Sequence, residues 1–336
     1  MAKLRAGLIG AGMMGRNHAR VLSGLDDVEL VAIVDPNGDQ HGVAGGRPVF
    51  ETVDQLIEHG VDYAMVAVPT ALHLEVGTKL AEGGVHALIE KPLAESVENA
   101  EKLAEAFASR GLIGGVGHIE RYNPALQSAR ARIENGDLGE VYQVATRRQG
   151  PFPGRIADVG VVMDLATHDI DLTAWVTQQE YVDITAQTAH RSGRPHEDLV
   201  AATGRLSKGT VVNHLVNWLS PLKERTTVIT GEKGTFIADT LTADLTFFKN
   251  GKVKTEWPGL SQFRGVTEGD VTRLAIPKPE PLRVEHENFR DAVLGKDADI
   301  VTLVQGLATV RTAFKCISGP SDRWTDEPGE NPQCEF

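Results

Sequence analysis

The sequence predicts a doubly wound α/β Rossmann domain with a parallel sheet, followed by an α+β domain with a large, mostly antiparallel open sheet. Three observations support this prediction. In residues 1–120, short apolar runs alternate with helical segments, as expected for strands buried on both faces. A G-x-G-x-x-G motif joins the first strand to the first helix. After residue 120, several strands follow one another with only turns between them, which is typical of an antiparallel meander.

The first domain, residues 1–120, has five strand-like runs. All except the Gly-rich last one are dense in Val, Ile, Leu and Ala; they are Leu4–Gly10, Val28–Asp35, Asp62–Pro69, Val85–Pro92 and Leu112–His118. Helical segments lie between them: Asn17–Gly24, Val53–His59, Leu74–Glu82 and Val97–Arg110. Thr52 and Gln55 have the spacing of a capping box, and Ser96 is a good N-cap for the longest helix.

The second domain is expected over residues 121–320, with a flexible tail over 321–336. Its predicted helices are Pro124–Asn135, Val162–Gln178, Val284–Gly295 and Thr302–Ser318. Strands are expected from Glu140 and between Tyr181 and Lys249, where Gly-containing turn signals separate them. Residues 259–281 contain three prolines and little pattern, so a loop is predicted there.

Composition excludes several classes of protein. The 336 residues are enough for about two domains, and 41% hydrophobic with 24% charged residues is ordinary for a globular chain. The net charge is −12 and no stretch is basic, so nucleic acid is not an expected partner. Cys316 and Cys334 have neither disulfide-scaffold nor metal-ligand spacing. No apolar run approaches the roughly 20 residues of a membrane span, and no secretory signal is seen, so a cytoplasmic protein is predicted. The cysteine spacing predicts no metal site.

The glycine motif, GAGMMG over residues 10–15, closes the first predicted strand and opens the first helix. In that context, Gly10 allows a tight turn, Gly12 lets the backbone approach a pyrophosphate, and Gly15 lets helix and strand pack closely. The helix N-terminus, with Met13 and Met14, is then expected to hold the phosphates of NAD.

Further cofactor contacts are expected at the ends of the next strands. Asp35 ends the second strand, where a carboxylate binds ribose hydroxyls and repels a 2′-phosphate, which favours NAD over NADP. Pro69 and Thr70 follow the third strand and should border the cofactor, because ligands bind at these strand ends. His73 is a further candidate, although a histidine that opens a helix is more often a cap or surface group.

Glu90 and Lys91 precede Pro92 at the end of the fourth strand and are assigned to the cofactor site. A lysine beside a nicotinamide can donate a proton to a carbonyl or orient a hydroxyl, and burial would lower its pKa. The alternative interpretation is a solvated strand end.

Asp164 and His168 are four residues apart in a helical stretch, which predicts that both lie on one face, one turn apart. The carboxylate can fix the imidazole tautomer or contact substrate, and the imidazole can act as a general base toward a hydroxyl. A purely structural role is about equally consistent with this pair in isolation.

Taken together, the glycine motif, Asp35, the Glu-Lys-Pro tripeptide and the segment Asp164–Asp171 (DLATHDID) resemble the glucose–fructose oxidoreductase/inositol dehydrogenase (Gfo/Idh/MocA) family. The resemblance spans nearly the whole chain. It implies that Lys91 and His168 are catalytic and that Asp164 contacts the reacting sugar. The family often has Gly where this chain has Ala166, and the additional methyl is expected to be tolerated in a helix.

A narrower resemblance involves the segments Gly117–Pro124 and Asp158–Asp164, which look like the members that act on UDP-N-acetylglucosamine or its uronic acid. It implies oxidation of the sugar 3-hydroxyl. The substrate site is then assigned to Lys91, Arg121, Tyr122, Asn123, Arg155, Asp164 and His168. Arginines can pair with a diphosphate; Arg155 is preferred, whereas Arg147 and Arg148 are expected to be exposed surface charges.

The resulting hypothesis is an NAD-dependent oxidoreductase acting on a sugar or nucleotide sugar. Within this class, a myo-inositol or free-sugar dehydrogenase is the alternative, because it needs no diphosphate contacts. A different class, a non-catalytic NAD-binding regulator, is compatible with the fold but has no need for Lys91, Asp164 and His168 together.

The family commonly assembles through the second sheet, so a homodimer or homotetramer is expected. Residues 210–218 agree with this, because both alternating sets of side chains are substantially apolar. Val212, His214 and Val216 are predicted to lie on the outer face of the sheet.

Overall fold

The computed structural model describes residues 3–154, 159–251, 267–318 and 321–323. It contains one six-stranded and one nine-stranded sheet within these ranges. All pairs in the first sheet are parallel, and most pairs in the second are antiparallel. The predicted fold class is therefore confirmed.

The first sheet has the strand order β3-β2-β1-β4-β5-β6. Its strands are β1 Leu4–Ile9, β2 Val28–Val34, β3 Val49–Phe50, β4 Tyr63–Val66, β5 His86–Glu90 and β6 Gly114–Gly117. The order reverses between β1 and β4, and a doubly wound sheet binds its ligand at the carboxyl ends of the strands at such a switch point.

Helices cover both faces of this sheet. From the first half of the chain come α1 Met13–Ser23, α2 Val53–His59, α3 His73–Glu82 and α4 Val97–Ala108. The capping box of Thr52 and Gln55 forms, and the Ser96 hydroxyl accepts from the Asn99 N–H. The apolar core against α2–α4 includes Leu56, Leu80 and Phe107.

Two helices from the end of the chain, which the sequence analysis placed in the second domain, pack against the first domain. They are α7 Pro281–Val293 and α8 Leu303–Ile317. The later of them also packs against Tyr181–His190 of the second domain. Phe289 of α7 packs in the same core as Leu8 and Leu22, on the face covered by α1. Just before α8, the Val116 N–H donates to the Val301 carbonyl at 2.9 Å, which extends the β6 edge.

The second sheet has the order β14-β13-β12-β11-β7-β10-β9-β8-β15. Its strands are β7 Val141–Pro151, β8 Tyr181–His190, β9 Leu199–Leu206, β10 Val211–Asn217, β11 Leu219–Gly231, β12 Gly234–Asp239, β13 Asp244–Gly251, β14 Thr267–Leu274 and β15 Ser321–Arg323. β7 pairs in parallel with β10 near the centre. α5 Pro124–Glu134 and α6 Thr167–Thr177 contribute to the core over one face.

Two predictions for this domain were wrong. Part of the predicted loop 259–281 is the edge strand β14, whose side chains from Glu268 to Arg273 are exposed and so give no apolar alternation. Along β10, Val212, His214 and Val216 are buried in the inner face rather than lying on the outer one. On the outer face, Asn213 and Leu215 are partly buried and Val211 is exposed. No helix in the described ranges is long and apolar enough to cross a bilayer.

Candidate active site

The glycine turn between β1 and α1 is shaped by close backbone contacts. Gly10 has φ +95°, and a Cβ there would lie 2.5 Å from the Ala67 carbonyl oxygen. A Cβ on Gly15 would lie 1.9 Å from the Gly10 oxygen, so helix and strand pack as tightly as the motif predicts. By contrast, Gly12 faces open space and caps α1 without any side-chain hydrogen bond. The first N–H groups of α1 are thus directed at an uncovered surface that suits the pyrophosphate of a dinucleotide.

Asp35 follows β2 and holds this turn. Its Oδ2 accepts a hydrogen bond from the Ala11 N–H, and its Oδ1 accepts one from Asn37, both at 2.9 Å. The carboxylate is half-buried. It therefore lies beside the glycine motif, as predicted, and also has a structural role in fixing the turn.

A cavity of about 750 Å³ extends from the glycine turn to the second domain. It is lined by Gly12, Met13, Met14, Ala67, Val68, Pro69, Thr70, Glu90, Lys91, Pro92, Gly117, Ile119, Val159, Asp164, Leu165, His168 and Leu282. The cavity thus unites most of the predicted cofactor residues with the predicted catalytic residues.

Lys91 at the end of β5 reaches across the cavity to the second domain. Its Nζ donates to the Asp164 carbonyl oxygen at 2.6 Å and to Asp164 Oδ1 at 2.9 Å. Both side chains are largely buried, with 16% and 7% of their surfaces exposed. Because both residues line the cavity, the ion pair remains accessible from it.

Asp164 lies in a π-helical turn, Val162–Ala166, immediately before α6. The prediction of one regular helix through Asp164 and His168 was therefore wrong, because the turn is wider than an α-helical turn. Instead, the turn leaves the Asp164 carbonyl available to Lys91. Both Asp164 and His168 nevertheless line the cavity.

His168 is a neutral imidazole at physiological pH. Burial, and then the positive charges of Lys91 and Arg148, lower its pKa well below the ordinary value. Its Nδ1 is buried without a hydrogen-bond partner in the described part of the chain, and its ring lies edge-on to His118, with 6.4 Å between centroids. A neutral histidine beside a lysine–aspartate pair can take a proton from a bound hydroxyl.

Three residues predicted to bind substrate are instead engaged in packing outside this cavity. The Arg121 guanidinium forms a bidentate pair with Asp171, with distances of 2.8 and 2.6 Å. The Tyr122 hydroxyl donates to the Asp299 carbonyl at 3.1 Å. The side chain of Asn123 caps α5 and donates to the Thr240 carbonyl. None of these three lines the cavity that contains Lys91.

His73 is also placed apart from the cavity. It is 1% exposed, and its ring nitrogens lie 3.0 Å from the Pro92 carbonyl oxygen and 3.1 Å from that of Val68. Burial is the main cause of its lowered pKa. His73 therefore ties together two loops that do line the cavity.

Among the loop arginines, Arg155 lies outside the described residues. Arg147 is exposed as expected, whereas Arg148 is not the surface charge predicted for it: its side chain is 4% exposed. Arg148 bridges Glu120 at 2.8 Å and Asp169 at 3.0 Å, which explains its burial.

Sequence analysis missed a chain of buried side chains behind Lys91. His18 lies 2.8 Å from Glu90 Oε1 through its Nε2 and 2.8 Å from His286 Nε2 through its Nδ1. Burial acts to raise the pKa of Glu90, but His18 holds it below its usual value. Glu90 Oε2 accepts from the Lys91 N–H. The only signal in the sequence was a histidine on the apolar face of α1, beside Ala19 and Leu22.

Comparison with protein families agrees with this geometry. The model described as "Oxidoreductase family, NAD-binding Rossmann fold" matches residues 4–118, and the "GFO/IDH/MocA C-terminal domain" matches residues 126–237. The chain belongs to the GFO/IDH/MocA family. The predicted resemblance is confirmed, and the open glycine turn accords with an NAD-binding domain.

Two curated relatives are similar in sequence. UDP-N-acetylglucosamine 3-dehydrogenase of Acidithiobacillus ferrooxidans is 33% identical over 216 residues, which is 63% of this chain and 66% of that protein. The scyllo-inositol 2-dehydrogenase (NAD(+)) of Bacillus subtilis strain 168 is 29% identical over 193 residues, 54% of this chain and 56% of that one. The matches thus span less than two thirds of each relative.

Solved structures match over more of the chain. The A. ferrooxidans UDP-N-acetylglucosamine 3-dehydrogenase GnnA has a TM-score of 0.80 at 28% identity, over 94% of this chain and 97% of that one. GenD2 from gentamicin A biosynthesis, in complex with NAD, has a TM-score of 0.76 at 24% identity, covering 94% of both chains. The latter supports the fold alone.

Proposed function

We propose that this protein is an NAD-dependent oxidoreductase that transfers hydride between a pyranose hydroxyl carbon and nicotinamide. The observation that carries the proposal is the Lys91–Asp164 ion pair beside His168 in the cavity that begins at Gly12. NAD supplies the hydride acceptor when bound. The protein supplies a proton acceptor, a cation and an anion at one end of the cofactor cavity.

In this mechanism, Lys91 and Asp164 position the sugar hydroxyl, and the neutral His168 accepts its proton. The ammonium of Lys91 favours the developing alkoxide, since it offers a positive charge from a largely buried position. His168 can take the proton because its imidazole is not already charged. Lys91 itself is the alternative proton acceptor.

The cofactor-binding residues of the proposal are Gly10, Gly12, Met13, Met14, Gly15, Asp35, Pro69, Thr70, Glu90 and Lys91. NAD is preferred over NADP because the Asp35 carboxylate, at the end of β2, would repel a 2′-phosphate.

The proposed substrate is a nucleotide sugar resembling UDP-N-acetylglucosamine, oxidised at the 3-position. The support is similarity to the A. ferrooxidans enzyme in both sequence and structure. A myo-inositol or free-sugar dehydrogenase is the second candidate, because inositol dehydrogenases match the chain at only slightly lower identity.

We further propose that the second sheet joins two or four copies of the chain. Its outer face carries partly buried or exposed Leu215, Val228 and Ile237 among small polar side chains, with none of the described helices covering it. A monomer mass by light scattering would contradict this.

The test is NADH formation from NAD with UDP-N-acetylglucosamine, its uronic acid, myo-inositol and glucose. We expect reduction with a UDP-sugar. Reduction only with inositol or glucose would retain the catalytic assignment and exclude the nucleotide-sugar substrate. No turnover with any sugar, despite measured NAD binding, would contradict the proposed activity and favour the regulator.

A further inference from the structure

Arg225 lies in the middle of the second sheet, on the side that faces α6. In the β7–β11 ladder it is directly opposite Arg148. Side chains of directly opposed residues in an antiparallel pair share one face of the sheet, close together. Arg148 is buried on the inner face, and it bonds Asp169, the neighbour of His168. Arg225 therefore projects from the sheet on the side of the candidate active site. It is not among the residues that line the cavity of Lys91, so a ligand must extend beyond that cavity to reach it.

The guanidinium of Arg225 is held by backbone groups rather than by a carboxylate. Its Nη1 donates to the Gln149 carbonyl at 2.7 Å and to the Glu224 carbonyl at 2.9 Å. Within the described ranges, no Asp or Glu oxygen lies within ion-pair distance of it, and neither Nε nor Nη2 has a hydrogen bond. The two carbonyls fix Nη1 of the guanidinium, which leaves Nε and Nη2 oriented but without hydrogen-bond partners.

The position is unfavourable for an isolated cation. Arg225 is half-buried. Burial, and then the neighbouring positive charge of Arg148, lower its pKa from the ordinary value. The charge of Arg225 in turn contributes to lowering the pKa of His168, and Asp164 acts on Arg225, so the three groups are within electrostatic range. The carboxylates of Asp169, Glu120 and Asp164 offset only part of these effects, so a bound anion would further favour the charged guanidinium.

We infer that Arg225 is a substrate-binding residue that recognises an oxyanion of the sugar substrate, either a diphosphate or a carboxylate. The inference rests on the proposed function and deepens it, since it assigns an anionic substrate class to the site. A planar guanidinium with two free donors matches both oxyanions by bidentate hydrogen bonding.

The alternative is that Arg225 only balances the buried carboxylates of Glu120 and Asp169. Arg148 already contacts both of them directly, at 2.8 and 3.0 Å, whereas Arg225 contacts neither. A balancing role predicts a loss of stability that is the same whichever sugar is present. A binding role predicts a loss that depends on the charge of the ligand.

The experiment compares the wild type with Arg225→Met and Arg225→Lys, and with Arg132→Met as a control that removes an exposed arginine on α5. Calorimetry with the full-length protein measures the Kd of UDP, of glucuronate and of neutral N-acetylglucosamine. NADH formation gives kcat and KM for every sugar of the panel that is turned over. Melting temperatures report the folding of each variant.

We expect Arg225→Met to weaken binding of its anionic ligand about 10- to 100-fold and to raise KM more than it lowers kcat. Arg225→Lys should recover part of the loss, since it keeps the charge but not the fork. N-acetylglucosamine binding and the Arg132→Met control should be unchanged. Weakened UDP binding identifies a diphosphate subsite, and weakened glucuronate binding identifies a carboxylate subsite.

Equal affinity of wild type and Arg225→Met for both anions would overturn the inference, as would equal losses with charged and neutral sugars. If no sugar is oxidised but UDP or glucuronate binding depends on Arg225, the anion site stands and the proposed hydride transfer fails. If only neutral sugars are oxidised, without any effect of Arg225→Met, the hydride transfer stands and the anion site fails.

Discussion

Two clusters of the same kinds of side chain are built around aspartates that lie seven residues apart on one helical segment. Each contains an aspartate, a cation and a histidine: Asp164 with Lys91 and His168, and Asp171 with Arg121 and His118. In the second cluster, the Asp171 and Arg121 side chains are 1% and 6% exposed, against 7% and 16% for Asp164 and Lys91. The first cluster lines the cofactor cavity, whereas Arg121 and Asp171 line a separate cavity of about 780 Å³.

Hydrogen bonding separates the clusters further. Both oxygens of Asp171 are engaged by Arg121, so the pair is saturated by its own partners. Burial acts to raise the pKa of Asp171, but Arg121 and His118 hold it below its usual value. Lys91, by contrast, has a third N–H that neither bond to Asp164 uses. We infer that the saturated Arg121–Asp171 pair stabilises the fold, while the Lys91–Asp164 pair, with an unused donor in the cofactor cavity, serves chemistry.

The largest expected effect is on catalysis at the cluster of Lys91, Asp164 and His168. Lys91→Ala or His168→Ala should lower kcat by about 10²- to 10⁴-fold, because each removes a group that handles the hydroxyl proton. NADH affinity, measured by fluorescence titration, should be nearly unchanged in His168→Ala and should fall far less than kcat in Lys91→Ala. Lys79→Ala, which removes an exposed lysine paired with Glu75, serves as the control. Turnover like that of the wild type in either variant would refute these roles.

The cluster of Asp171, Arg121 and His118 should show the reverse pattern. Arg121→Met leaves the Asp171 carboxylate buried without its cation, which we expect to cost about 3–5 kcal/mol in free energy of unfolding, measured by urea denaturation. The double variant Arg121→Met/Asp171→Asn should recover part of this loss, since no buried charge remains. Lys91→Ala should cost less stability than Arg121→Met, because the cavity keeps Asp164 accessible to water. The opposite order would remove the distinction between the clusters.

A smaller effect concerns a third histidine, His214, whose ring nitrogens lie 2.8 Å from the Thr146 and Tyr181 hydroxyls. Burial lowers its pKa from 6.5 to about 4. The unfolded chain therefore binds the proton first, and stability is lost as pH falls below about 6.5, by about 3 kcal/mol at pH 4. Urea denaturation should show a shallower pH dependence in His214→Gln. An unchanged pH dependence would show that this histidine does not titrate as described.

Much of the fold could be predicted because it depends on local patterns. Apolar runs of the right length gave the parallel strands, and the glycine motif located the first turn. β14 was not predicted because an exposed edge strand needs no apolar face. The π-helical turn was not predicted because nothing in residues 162–166 distinguishes it from an α-helix.

The candidate site could be predicted only in part. Lys91 and Asp164 are separated by 73 positions, so their contact follows from the family resemblance and not from spacing. Arg121 lies near the domain junction in sequence, and sequence alone does not show whether such an arginine faces a ligand or a buried aspartate. Arg225 was not among the predicted residues because a sequence does not show which arginines lack an ion pair.

The wide turn at Val162–Ala166 makes this region sensitive to the insertion or deletion of a residue. A π-turn holds one more residue than an α-turn, and each α-helical residue rotates the chain by about 100°. Deletion of a single residue here would restore regular α-helical winding. The residues that precede the deletion would then rotate about the helix axis relative to α6. Asp164 would then turn away from Lys91 while His168 kept its place. A gap of one position in this segment should therefore be less tolerated than most substitutions.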